Sequence, residues 1–539
     1  TQPTIAILQT NPLCGAIEAN TQALIKQVKH HESLGTDLLI TPELALCGYP
    51  PEDLLLRPAF HAAVEEALAM LCKAVTGNIS LIVGYPQHDE QGLKNRLGFI
   101  HKGAVKTYYD KRCLPNYDTF DEKRYFVAGK QPASITLKGH NLGLLICEDI
   151  WCDTTIQETT ALGTDTLIMI NASPFAMGKQ DQRKERLQRI STRYQQTCVY
   201  ANLAGGQDEL VFDGHSLIVN PAGHCCAEGD YFKEDTLYYT LGGDNKQPTT
   251  DSTINTDAIL YQGLVCSVRD YINKNHFPGV LIGLSGGIDS ALTLAIAVDA
   301  LGANRVHAVM MPTHFTSKES LEDAEQNANA LGVKYRVIDI EPLFQTMQDT
   351  LTPYFEGKPE DTTEENLQAR IRGIVLMSLS NKHGNIVLCT GNKSEMAVGY
   401  STLYGDLVGG FCPLKDIFKT TVNRLSAYRN SISSAIPTRI LEKAPSAELA
   451  INQKDEDSLP PYAVLDAILK HSIHDKKSAS EIIALGFDTA IVNDVLQRIK
   501  RNEYKRRQTA IGVRVSERAF GRDRRYPITT GPFTVGSIL

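Results

Sequence analysis

The sequence predicts an α/β protein of two tandem domains, and three observations carry that prediction. Short β-rich apolar runs alternate with helical stretches along the chain. The stretch Gly242-Gly243-Asp244-Asn245-Lys246-Gln247-Pro248-Thr249-Thr250-Asp251-Ser252 is polar, rich in turn formers and without apolar periodicity, so it reads as a linker. The chain has 539 residues, and large α/β domains reach roughly 250 residues each. The expected organisation is one domain over 1–242, a linker over 243–255 and a second domain over 256–539.

In the first domain, residues 4–8, 37–41, 80–84, 133–137, 142–147, 166–170, 199–203 and 216–219 read as strands. Residues 62–75 and 179–197 carry helical patterns between them. In the second domain, strand candidates 280–284, 305–311, 334–339 and 385–390 alternate with helix candidates 291–301, 321–331 and 366–380. Such alternation specifies a doubly wound parallel sheet. Residues 500–526 are locally basic, with ten Lys or Arg against three Asp or Glu. Either a solvated surface or contact with phosphates would account for that.

Composition excludes several classes. The chain is 42% hydrophobic and 22% charged, which is ordinary for a globular protein and excludes a disordered or collagen-like chain. A net charge of -8 argues against nucleic acid or an anionic membrane as partner. No apolar stretch approaches the ~20 residues that span a bilayer. The first residues show no signal-peptide pattern, so a cytoplasmic location is expected. The twelve cysteines include no Cys-x-x-Cys pair. Neither a disulfide framework nor a zinc site is indicated.

The most specific motif is Gly283-Leu284-Ser285-Gly286-Gly287-Ile288-Asp289-Ser290, between a predicted strand and a predicted helix. Adjacent glycines allow a tight turn and close approach of a ligand. Backbone N–H groups at a helix N-terminus make an anion site. Ser285 and Ser290 add hydroxyls, and Asp289 can serve a metal or orient the loop. The motif is neither Gly-x-x-x-x-Gly-Lys-Ser/Thr nor Gly-x-Gly-x-x-Gly. It resembles the pyrophosphate loop of the N-type ATP pyrophosphatases, which split ATP to AMP and pyrophosphate while adenylylating an acidic oxygen.

Further strings follow: Glu365-Asn366-Leu367-Gln368-Ala369-Arg370-Ile371-Arg372, Leu388-Cys389-Thr390-Gly391-Asn392-Lys393-Ser394-Glu395, Gly399-Tyr400-Ser401-Thr402-Leu403-Tyr404-Gly405-Asp406 and Arg501-Asn502-Glu503-Tyr504-Lys505-Arg506. Their order is similar to the ammonia-transferring domain of NAD synthetases. The resemblance implies that residues 283–290 and Thr390 bind ATP. It implies that Asn366, Glu395 and Lys505 bind deamido-NAD. It places Asp289 and Glu395, with Asp406 nearby, beside Mg²⁺.

In the first domain, Leu144-Leu145-Ile146-Cys147-Glu148-Asp149 puts a cysteine at a strand-to-turn elbow. Ile40-Thr41-Pro42-Glu43 ends a strand in a carboxylate, and Tyr109-Asp110-Lys111-Arg112 ends another apolar run with a lysine. A cysteine nucleophile needs a base for its proton and a cation for the developing oxyanion. Spacing alone does not bring the three together. Their order and context resemble the Glu–Lys–Cys triad of the nitrilase superfamily, an αββα sandwich. The resemblance implies Glu43 as general base, Lys111 as oxyanion stabiliser and Cys147 as nucleophile. The string Leu114-Pro115-Asn116-Tyr117-Asp118-Thr119-Phe120-Asp121-Glu122 is similar to the glutamine-using branch, which implies glutamine contacts from Tyr117, Ser173 and Lys179. Glu148 and Asp149 read as structural acids, and Cys225-Cys226 has no assigned role.

An ammonia-releasing half joined to an ammonia-consuming half resembles the glutamine-dependent NAD synthetase family. That family implies glutamine, ATP and deamido-NAD as substrates, Mg²⁺ as cofactor, a homo-oligomer and an internal ammonia tunnel. Two other readings are open on the sequence. One is an amidotransferase acting on a different acceptor, against which the Glu–Lys–Cys half argues. The other is a nucleotide-binding regulator without chemistry, against which Glu43, Lys111, Cys147 and Asp289 argue.

Overall fold

The computed structural model describes residues 2–243, 245, 255–533 and 536. The chain divides into two compact units, Thr1–Ile254 and Asn255–Leu539. Most of the expected linker over 243–255 lies outside the described residues.

The N-terminal unit is built on two six-stranded sheets. One runs, in spatial order, Asp235–Thr240, Thr4–Gln9, Leu38–Ile40, Ser80–Asp89, Gly92–His101, Ala104–Asp110. The other runs Cys225–Glu228, Leu217–Val219, Thr197–Asn202, Thr166–Asn171, His140–Ile146, Ser134–Leu137. Each sheet has a parallel centre and antiparallel edges. Alternation along the strands explains the layering. Ile5 and Ile7 pack with Leu38 and Ile40 against Leu144, Ile146, Ile168 and Ile170 of the second sheet. The intervening Ala6, Leu8 and Leu39 turn outward onto the helices Ile17–Ser33 and Pro58–Ala74. On the far side, Leu145, Leu167 and Met169 meet Leu187 and Ile190 of the helix Lys179–Tyr194. The result is the expected αββα sandwich.

The hairpin pair Gly92–His101 and Ala104–Asp110 is absent from the sequence reading. Lys94, Asn95 and Arg96 interrupt its apolar pattern, yet all three are buried. They are buried because they are paired: Arg96 with Asp110 at 2.7 Å and Asn95 with Glu43 at 2.8 Å.

The C-terminal unit holds a four-stranded, wholly parallel sheet in the order Lys334–Val337, Val306–Met310, Val280–Gly283, Ile386–Val387. Leu281, Val309 and Val387 face Phe344 of the helix Glu341–Leu351 and Ile371 and Leu376 of the helix Thr362–His383. The helix Ile288–Leu301 packs on the other face. The strand order reverses beside Val280–Gly283, and ligands of such sheets bind at this switch point. The fourth strand is shorter than the predicted 385–390. After Val387 the chain leaves the sheet, and Leu388 bridges to Phe411.

Part of the basic segment 500–526 is turned inward and paired. Arg506 donates to the carbonyls of Met396 and Ala397 and pairs with Glu503. Arg524 pairs with the same Glu503, and Arg514 with Asp523. Among the described residues, no helix is long and apolar enough to cross a membrane.

Candidate active sites

In the N-terminal unit, Glu43, Lys111, Cys147 and Ser173 each stand one to three residues beyond the carboxyl end of a strand. Strand ends expose side chains on short, well-held turns, and the structure brings these four turns to one place. Lys111 is the centre. Its Nζ donates to Glu43 Oε1 at 2.7 Å and to Glu122 Oε1 at 2.8 Å. Glu43 also accepts from Asn95 Nδ2 at 2.8 Å and, through Oε2, from Ala172 N at 2.8 Å. Tyr49 OH donates to Glu122 Oε1 at 2.8 Å. The approach to this turn is tight: a Cβ on Gly84 would meet Leu44 N at 2.4 Å, so only glycine fits behind Glu43.

Burial sets the electrostatics. Lys111 and Glu43 are 1% and 0% exposed. Burial acts against the Lys111 charge, but Glu122 and Glu43 more than offset it and hold the ammonium protonated well above its usual range. Burial and the neighbouring Glu43, opposed by Lys111, push Glu122 up to about 7. Cys147 opens the turn Cys147–Trp151 with φ of 46°, a conformation rare outside glycine and a mark of a strained site. Burial first, then the charge of Glu43, pushes its thiol well above the usual range. It is therefore a neutral thiol at rest and needs a base to become a nucleophile.

Asp149 ties two of these turns together. It accepts from Cys113 N, Arg112 N, Ile146 N and Tyr109 OH at 2.8–3.1 Å, as a structural acid should. Tyr117 OH donates to Glu148 Oε2 at 2.9 Å, beside Cys147. Lys179 opens its helix with its Nζ 4.5 Å from the Trp151 ring centroid. Ser173 accepts from Arg183 Nη2 at 2.9 Å.

Sequence reasoning missed Glu122 and Asn95. Glu122 lies within a string quoted above, but nothing local marks it as a partner of Lys111. Among the described residues, Glu122 Oε2 and Asn95 Oδ1 are buried without a hydrogen-bond partner.

In the C-terminal unit, the 283–290 loop leaves the central strand and enters the helix Ile288–Leu301. Gly286 has φ of +79°, and a Cβ there would meet Ser320 O at 2.5 Å. The Ser285 and Ser290 hydroxyls lie 3.1 Å apart, and Gly287 N donates to Ser285 Oγ at 3.2 Å. They brace the loop around its own backbone.

The other expected residues gather in two clusters, the first of which includes Asp289 of this loop. In one, Asn392 Nδ2 donates to Asp289 Oδ1 at 2.9 Å and Asn392 Oδ1 accepts from Glu395 N at 2.9 Å. Lys419 pairs with Asp289 and stands 3.8 Å from Glu395. Burial, then Asp289, pushes Glu395 far above the carboxylate range, so Lys419 alone does not neutralise the pair. Two carboxylates converging beside this loop offer the oxygen ligands that a small hard cation takes. In the other cluster, Thr402 Oγ1 donates to Asn366 Oδ1 at 2.7 Å and Thr402 N to Asp406 Oδ1 at 2.5 Å. Lys505 Nζ donates to the Gly399 and Ser401 carbonyls at 3.0 and 2.8 Å. Thr390 lies between the short fourth strand and Asn392. Lys419 was missed by sequence reasoning because its partner Asp289 is 130 residues away.

Comparison with known proteins agrees with both halves. Residues 4–246 match the carbon-nitrogen hydrolase family model, and residues 260–509 match the NAD synthase model. The glutamine-dependent NAD(+) synthetase of Acinetobacter baylyi is 47% identical over 533 residues, covering 98% of each chain. That of Xanthomonas campestris is 43% identical and covers 98% of this chain and 97% of its own. The structure of the Acinetobacter baumannii glutamine-dependent NAD+ synthetase in complex with ADP superposes with a TM-score of 0.81 at 45% identity, covering 98% of each chain. With a buried Glu–Lys pair beside a cysteine in one unit, a glycine-rich strand-to-helix loop in the other and relatives of one kind over nearly the whole chain, the chain belongs to the glutamine-dependent NAD(+) synthetase family.

Proposed function

We propose that the N-terminal unit releases ammonia from glutamine and that the C-terminal unit uses it to convert deamido-NAD to NAD. The observation that carries this reading is Lys111, held between two buried carboxylates beside Cys147.

Tyr117, Ser173 and Lys179 hold glutamine. Glu43 takes the proton of the Cys147 thiol as the sulfur attacks the side-chain amide carbon. Lys111 sits where negative charge develops on the amide oxygen. The C–N bond breaks, Glu43 returns the proton to the departing nitrogen, and ammonia leaves a thioester. Water activated by Glu43 then cleaves the thioester to glutamate.

In the C-terminal unit, residues Gly283, Leu284, Ser285, Gly286, Gly287, Ile288, Asp289 and Ser290 cradle the ATP phosphates and Thr390 contacts the nucleotide. Asn366, Glu395 and Lys505 hold deamido-NAD. A carboxylate oxygen of deamido-NAD attacks the α-phosphorus, pyrophosphate leaves, and an acyl-adenylate forms. Ammonia displaces AMP to give the amide of NAD. Asp289 and Glu395 would hold Mg²⁺, which supplies positive charge to the phosphate oxygens. Lys419 orders the same two carboxylates and adds its own charge. A homo-oligomer belongs to this reading on family resemblance, and the twelve cysteines, sparse and outside any disulfide, suit a reducing, cytoplasmic setting.

The test is Cys147→Ala. Glutamine-driven NAD formation should fall by at least about a thousandfold, the scale of losing a nucleophile, while NAD formation from ammonium salts persists. Loss of both would contradict separate sites.

A further inference from the structure

Arg183 is the largest fully buried side chain of the N-terminal unit outside the Lys111 cluster, and the mechanism above does not use it. It lies one turn into the helix Lys179–Tyr194 and is 2% exposed. Its Nη1 donates to both oxygens of Asp213 at 2.7 Å. Its Nη2 donates to Ser173 O, Ser173 Oγ and Pro174 O, each at 2.9 Å. Asn202 grips the same residue from the other side: Ser173 N donates to its Oδ1 at 2.9 Å, and its Nδ2 donates to Ser173 O at 3.3 Å. Asn202 also reaches Asp213 Oδ1 at 3.4 Å, closing the network.

Ser173 is the only residue from Asn171 to Ala176 that is not buried. Every polar atom of this one solvent-reaching serine is thus held by a buried ionic network. Burying an Arg–Asp pair rarely gains net stability over apolar residues of similar size. What a rigid planar guanidinium does supply, with Nη1 on Asp213 and Nη2 on Ser173 and Pro174 while its buried Nε has no partner, is fixed geometry between the two.

We propose that the Arg183–Asp213 pair is the positioning device of the glutamine site: it sets the place and orientation of the Ser173 hydroxyl and so determines affinity for glutamine. This rests on the reading of Ser173 as a glutamine contact. The clamp acts on the far end of its loop. The near end is held independently, because Asn171 Nδ2 donates to Met169 O and Ala201 O, and Ala172 N donates to Glu43. Loss of the clamp therefore moves Ser173 more than it moves Glu43, and KM responds more than kcat.

The experiment is steady-state kinetics of the full chain with glutamine and, separately, with ammonium. Arg183→Lys keeps a charge for Asp213 but has one nitrogen and cannot also span Ser173 and Pro174. It should raise the glutamine KM about tenfold, the scale of a hydrogen bond to a charged donor, with kcat changed by less than about threefold and ammonium-driven activity unchanged. The double variant Arg183→Leu with Asp213→Leu leaves no unpaired buried charge. It should fold and keep the raised KM, which a purely structural role would restore to the starting value. A starting-value KM in the double variant, or a fall in kcat with KM unchanged in Arg183→Lys, overturns the proposal. Ser173→Ala separates the two readings. If it raises KM while the Arg183 variants do not, the clamp fails alone. If it leaves KM unchanged, the Ser173 assignment fails and takes the clamp with it.

Discussion

Lys111 in the N-terminal unit and Lys393 in the C-terminal unit are both buried, and their surroundings are opposite. Lys111 lies between Glu43 and Glu122, with one carboxylate oxygen of Glu122 unpartnered. Lys393 is 0% exposed and its Nζ meets Asp416 Oδ1 at 2.6 Å, His474 Nε2 at 2.8 Å, Arg518 O at 2.8 Å and Ser516 Oγ at 3.0 Å. Asp416 is in turn closed by the N–H groups of Val515 and Ser516. Burial lowers the Lys393 pKa and Asp416 does not fully restore it, whereas two carboxylates raise that of Lys111. The lesson is that burial does not define a reactive group. The lysine proposed to act in catalysis keeps surplus negative charge around it, whereas Lys393 is saturated by its partners. Lys393 fastens the C-terminal segment to the helix Lys393–Val398, which bears Glu395.

The comparison breaks most visibly in rate. Lys111→Met removes the cation between two carboxylates and should cost glutamine-driven turnover at least about a thousandfold, given that one oxyanion donor alone is worth roughly 10²–10³. Ammonium-driven turnover measured on the same sample should stay within about twofold. Lys393→Met should behave in the reverse sense. It leaves Asp416 buried and unpaired, which costs about 3–5 kcal/mol of stability in the C-terminal unit. Denaturant unfolding should show that loss, while glutamine hydrolysis persists.

This contrast also marks what was legible. Glu43, Cys147 and Ser173 stood out at the ends of apolar strands and Lys111 at the end of an apolar run, but the roles expected of them came from a resemblance in order and context, not from the local pattern. The 283–290 loop was readable because its glycines and hydroxyls serve the backbone they belong to. Glu122, Asn95, Lys419 and Arg183 were not, because each acts through a partner 11 to 130 residues away. The strand carrying Asn95 escaped for the same reason: its buried polar residues serve the site and so disrupt the periodicity that reveals a strand. The basic C-terminal segment looked like a surface or a phosphate contact, since charge runs do not show whether acids elsewhere receive them.

The smallest expected effects are in pH dependence, and their signs differ between the units. Burial, then Lys393, pushes His474 down to about 4 from its ordinary 6.5. Between those values the unfolded chain binds the proton more strongly. Its contribution to stability is therefore complete above pH 6.5 and is lost as pH falls toward 4. Glu122 is raised from 4.5 to about 7, so its contribution is complete below pH 4.5 and is lost as pH rises toward 7. His474→Gln should remove an acid-side loss on the order of 2 kcal/mol from the C-terminal unit. Glu122→Gln should remove a loss of similar size on the neutral side from the N-terminal unit. Unfolding midpoints measured between pH 4.5 and 8 check both; curves that shift in the same direction for both variants would contradict the contrast between the two clusters.

The central claim is that nitrogen released beside Cys147 becomes the amide nitrogen formed at the 283–290 loop. The most direct measurement supplies the full chain with ATP, Mg²⁺, deamido-NAD and glutamine labelled with ¹⁵N in its side-chain amide, and reads NAD by mass spectrometry and AMP by chromatography. The account predicts ¹⁵N-labelled NAD with AMP in equal amount. Absence of NAD with glutamine and with ammonium alike would contradict it.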